Sequence, residues 1–133
     1  MPYTTVHPSH RMHGIVNVPG ERCPHGGFAI HRQLGEARDA VEPDGKWVVS
    51  HERTGFQVAA FDDRARARTF ARAARRLVDY FGDAGRSGDL RPLREHRLYP
   101  ALRKLTEYAN REWRGYRYSI ERKVVDIIEE ARA

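Results

Sequence analysis

The chain has 133 residues, of which 40% are hydrophobic and 10% aromatic, so it fits one domain with a core of its own and is too apolar for wholesale disorder. Its single cysteine, Cys23, excludes an intramolecular disulfide framework. No apolar run nears the ~18 residues that span a bilayer, and Met1-Pro2-Tyr3-Thr4-Thr5-Val6-His7 lacks the basic and apolar regions of a signal peptide. A cytoplasmic protein with no membrane partner is the expectation.

The net charge of +6 is unevenly placed. Residues 1–61 balance six basic against six acidic side chains, residues 62–117 carry fifteen against eight, and residues 118–133 carry three against four. A local excess of this kind attracts polyanions or acidic protein patches. Of the 24 basic residues 21 are arginine, a bias that genome composition alone also produces.

In chain order, residues 1–61 read as strand-rich and 62–133 as helical. Pro8, Gly14, Pro19-Gly20, Pro24, Gly26-Gly27, Gly35, Pro43 and Asp44-Gly45 mark turns, and the short runs 14–18 and 27–31 between them read as extended. The clearest unit is a hairpin over 46–61, with strands Lys46–His51 and Phe56–Phe61 joined through Arg53-Thr54-Gly55. Strict alternation puts Trp47, Val49 and His51 on one face. On the second strand it separates Phe56, Val58 and Ala60 from Gln57, Ala59 and Phe61.

Asp62 reads as the N-cap of a helix with Asp63 in its first turn. Ala67, Phe70, Ala74, Leu77 and Phe81 form its buried stripe, and Gly82 is a natural stop. After a Gly-rich link over 83–89, residues 90–98 read as a short or irregular helix. Pro100 opens a second main helix running to about Trp113, with Leu102, Leu105, Ala109 and Trp113 inward. Gly115 ends it. Ser119 then caps a last helix burying Ile120, Val124, Ile127, Ile128 and Ala131. The whole predicts one α+β domain, a small antiparallel sheet packed on three C-terminal helices. A hairpin followed at once by a helix over 45–75 is similar in topology to small DNA-reading domains with a three-stranded sheet. No diagnostic motif accompanies the likeness, so no family is assigned.

Three constellations carry chemistry. Arg64, Arg68, Arg72 and Arg75, with Arg76 beside them, are spaced by four, four and three and fall on one helix face. Guanidinium forks suit phosphate and carboxylate alike. A continuous row without acidic cover favours nucleic acid, and acidic cover favours a structural role. Lys46 and Arg53 on the hairpin are candidates for specificity. The segment Trp113-Arg114-Gly115-Tyr116-Arg117-Tyr118 adds Arg114 and Arg117 among aromatics, fit to stack bases or anchor a protein, or else to pack between helices. His10, His13, Cys23 and His25 are weak candidates for zinc, because their ligand types suit the metal but their spacing matches no zinc motif. Cys23 could also serve as a nucleophile beside His25, His31 or His51. No phosphate-binding loop, dinucleotide fingerprint, zinc-protease helix or nucleophile elbow is present.

The leading expectation is a non-enzymatic module that contacts DNA, RNA or a nucleoprotein through the arginine-lined helix. The alternatives are a small interaction or inhibitor protein of mobile-element type docking on an acidic partner, and a metal-dependent enzyme built on the His/Cys cluster. The hairpin edge and the aromatic segment are both compatible with homodimerisation.

Overall fold

A computed structural model describes residues 4–23, 27–52, 56–81 and 98–132, with the backbone alone at Phe56, Phe81 and Leu98. Seven strands come first: β1 (Thr4–Val6), β2 (Ser9–His10), β3 (Gly14–Ile15), β4 (Val18–Cys23), β5 (Phe28–Arg32), β6 (Trp47–His51) and β7 (Phe56–Phe61). Among the described residues three helices follow: α1 (Arg64–Phe81), α2 (Leu98–Arg111) and α3 (Arg117–Arg132). Strands β1-β4-β5-β6-β7 form one antiparallel sheet and β2-β3 a small separate hairpin. The α+β arrangement is as the sequence predicts, with a main sheet of five strands and not three. Arg53, the Thr54-Gly55 turn, His25, Gly82, the link 83–89 and the expected helix before Leu98 lie outside the described residues.

Register fixes the two faces of the sheet. Glu21 and Cys23 on β4 pair with Ile30 and Phe28 on β5, which pair with Val49 and His51 on β6. These residues share the face that α1 covers. Phe28, Ile30 and Val49 are buried there against Ala67, Phe70, Ala71, Ala74 and Leu77. The alanines let the helix approach the sheet closely, while Phe70 and Leu77 fill the gaps between strands. Helices α2 and α3 extend this core through Leu102, Leu105, Ile120 and Val124, and Trp113 joins it from the turn between them. The opposite face is closed by a smaller cluster of Val6, Val16, Val18 and Ala29, with Leu34 and Val41 against it. His31 and Ser50 are buried on that side and bond to each other (Nε2 to Oγ, 2.8 Å).

Several local expectations change. Pro19-Gly20 is not a turn but part of β4. The ladder to β5 begins at Gly20, so the missing Pro19 N–H costs no bond there. Gly20 is required by packing: a Cβ would collide with the Ile30 carbonyl oxygen and stand 2.8 Å from Val6 Cγ2. A bulge opposite Val49 and Ser50 breaks the alternation of β7, so Ala59 and Phe61 pair with Val49 and Trp47 while Gln57 pairs with Ser50. Asp63, not Asp62, caps α1, its Oδ1 accepting from Arg66 N at 2.7 Å. Pro100 sits two residues inside α2, still in the first turn, where no intrahelical N–H bond is lost. Helix α2 ends at Arg111, earlier than Trp113. Helix α3 begins at Arg117, so Ser119 lies within its first turn and donates to the Tyr116 carbonyl, and Ala131 is exposed.

Candidate functional site

Helix α1 packs on β5, β6 and β7 and, along one side, on α2 and α3. Strands β4 and β1 extend past its other side. The helix-facing residues of that outer strip are Thr5 and Pro19, both exposed, together with Glu21 and Cys23. Among the described residues, the result is a step: a strip of sheet as floor and the flank of α1 as wall. Spacings of four, four and three bring Arg64, Arg68, Arg72 and Arg75 onto that flank.

Glu21 stands in the corner of the step. It is only 3% exposed, and a buried carboxylate needs partners. Arg68 supplies a two-pronged fork, Nε to Oε2 at 2.8 Å and Nη2 to Oε1 at 2.5 Å. Arg64 Nε lies 2.8 Å from Oε1. The Arg68 bonds hold the Glu21 carboxyl below the usual carboxylate range, against the opposing effect of burial and with the Arg64 charge adding to the shift. Arg64 also lies 5.6 Å from the Trp47 ring, which Arg32 covers at 4.3 Å.

The predicted row therefore divides. Arg64 and Arg68 are anchored by acidic cover and are structural ties between β4 and α1. Arg75 reaches Asp79, one turn along, at 3.5 Å. Arg72 and Arg76 are exposed and make no ion pair among the described residues. Among the described residues, the four arginines of the flank, Arg64, Arg68, Arg72 and Arg75, are set against two carboxylates, Glu21 and Asp79. Lys46 points elsewhere, toward Asp62 at 4.0 Å. Glu21 is the residue that sequence reasoning missed: a glutamate beside Pro-Gly reads as solvent-facing, and its two partners lie far along the chain.

At the α2–α3 turn, Trp113 is buried as its stripe predicts, and its ring meets Phe61 edge-on at 5.6 Å. The tyrosines do not pack between helices. Tyr116 is 71% and Tyr118 79% exposed. Arg114 is exposed, and Arg117 pairs with Glu121 at 2.8 Å.

Of the metal candidates, His10, His13 and Cys23 are described, and His25 lies outside the described residues. His10 and His13 adjoin, with ring centroids 4.6 Å apart. Their ring nitrogens serve the loops: His10 Nε2 bonds the Gly35 carbonyl at 2.8 Å, its Nδ1 accepts from Met12 N and His13 N, and His13 Nε2 bonds the Glu36 carbonyl. Cys23 packs on the main core under α1. Among the described residues no three His, Cys, Asp or Glu side chains converge as a metal site. The Cys23 thiol is pushed up by burial and by the charge of Glu21, the reverse of nucleophile activation. His31 lies on the other face of the sheet from Cys23, where burial lowers its pKa.

No helix among the described residues is long and apolar enough to cross a membrane. Compared with protein-family models, curated proteins and solved structures, the chain matches none.

Proposed function

We propose that this protein is a non-enzymatic binding module that takes nucleic acid along the open flank of α1. The observation that carries this reading is the step itself: a guanidinium row on α1 beside the outer edge of the sheet, where Thr5 and Pro19 are exposed. Arg72 and Arg76 supply phosphate contacts, while Glu21 orients Arg64 and Arg68 at the head of the row. Those two side chains remain 29% and 35% exposed. The acidic cover reduces the charge that the sequence suggests without cancelling it.

Phosphate contacts release counterions, so affinity falls with salt on a slope of about 0.9 per contact for duplex DNA. Fluorescence anisotropy of labelled DNA and RNA across a salt series tests the proposal. Wild type binds at low salt, and Arg72→Ala/Arg76→Ala lowers both the affinity and the slope, the latter by up to about two. Absence of binding at low salt, or affinity indifferent to salt, removes the reading. In that case a stoichiometric complex with an acidic protein, recovered from the native host and released by salt, is the arrangement that the same row supports.

A further inference from the structure

Away from α1's open flank, the most exposed aromatic rings of the described residues are Tyr116 and Tyr118, at the turn between α2 and α3. The backbone that carries them is pinned. Gly115 takes φ +94, a conformation L side chains rarely adopt, and Arg66 Nε lies 3.1 Å from where a Cβ would stand. The Tyr116 carbonyl accepts from Trp113 Nε1 at 2.8 Å and from Ser119 Oγ at 2.9 Å. Trp113 itself is anchored in the core against Phe61. The turn is thus held from below while two large rings stand in water, where they contribute nothing to the core.

Charge around the rings is cationic in balance. Arg114 makes no ion pair among the described residues, Arg117 pairs with Glu121, and Arg66 pairs with Asp63 at 3.4 Å. Flat rings flanked by guanidinium groups match a chain of bases joined by phosphates, since each base offers a π-face and each linkage an anion. In a duplex those faces are already stacked on one another, and only unpaired bases present them. We infer that Tyr116 and Tyr118 form a stacking platform for unpaired bases, so that the nucleic acid preferred by this protein is single-stranded. The inference rests on the nucleic-acid reading of the α1 flank, and it adds a second, chemically different contact to it.

The test compares a fluorescent oligo-dT with a duplex of equal length by anisotropy at low salt, using wild type and Tyr116→Ala/Tyr118→Ala. Both side chains are exposed, so the variant keeps its fold, which circular dichroism checks. The expected result is a loss of at least about fivefold in single-strand affinity, the lower end for one stacked base. Duplex affinity changes less than twofold, and the salt slope is unchanged because no cation is removed. Tyr116→Phe/Tyr118→Phe retains wild-type affinity, since stacking needs the ring and not the hydroxyl. Equal loss for both nucleic acids, or no loss for either, overturns the inference and leaves the tyrosines to a protein contact. If wild type binds neither nucleic acid, the α1 reading fails as well; if it binds both and the tyrosine variants are silent, only the stacking platform falls.

Discussion

Replacing Glu21 by glutamine removes the negative charge from the corner between β4 and α1 while keeping the shape of the side chain. Breaking a fully buried ion pair by removing one partner costs about 3–5 kcal/mol. Here the two guanidinium groups keep about a third of their surface in water, so solvent recovers part of that loss, and about 2 kcal/mol is expected. The effect also depends on pH. Because the folded-state pKa of Glu21 is lowered, its contribution is complete above the unfolded value near about 4.3 and fades as pH falls through the folded value. Below that point the wild-type side chain is protonated and resembles glutamine. Urea unfolding of wild type and Glu21→Gln from pH 7 down to about pH 3 measures the difference, which should hold down to about pH 4.3 and narrow below it. A gap under about 0.5 kcal/mol at pH 7, the range of ordinary surface substitutions, or a gap independent of pH, refutes the assignment of Glu21 as the tie between sheet and helix.

Gly20→Ala should cost more than about 2 kcal/mol in the same urea experiment, because its new methyl meets the Ile30 backbone and Val6; a near-neutral result would mean that β4 and β5 can part without loss. Ser50→Ala leaves His31 Nε2 buried without its partner and is expected to cost about 1–3 kcal/mol. The pKa of His31 is lowered by burial, so the neutral ring's contribution is present above about pH 6.5 and is lost as pH falls through the folded-state value. Replacing His31 should therefore shrink the acid-side decline in stability between those two values, and an unchanged decline argues against it. Cys23 should react with iodoacetamide more slowly than a free thiol at pH 8, since burial and Glu21 both disfavour the thiolate; faster reaction would restore it as a nucleophile candidate.

Much of the fold was legible because periodicity reports burial directly. The three-and-four spacing of Ala67, Phe70, Ala74 and Leu77 corresponds to a buried face, whereas β6 is buried on both faces, Val48 and Ser50 as fully as Val49 and His51. Pro19-Gly20 misled because a glycine that marks a turn and a glycine that admits a neighbouring strand are the same letter. The bulge in β7 was invisible for a similar reason, since one extra residue shifts register without changing composition. At the site, spacing placed the arginines on one flank but could not reveal which of them faced a carboxylate. Glu21 lies on the other side of a sheet–helix contact, and long-range ion pairs have no period. The tyrosines at 116 and 118 fall where helical spacing is interrupted by Gly115, so their exposure became visible only in three dimensions.

The central claim is that nucleic acid lies on the open flank of α1. Amide chemical-shift mapping during titration with a short oligonucleotide at low salt addresses it most directly. The account predicts shifts concentrated at Thr5, Glu21 and Cys23 on the strip and at Arg68, Arg72 and Arg76 on the wall. Shifts confined to the opposite face, around Val16 and Val41, or no shifts at saturating oligonucleotide, would contradict it.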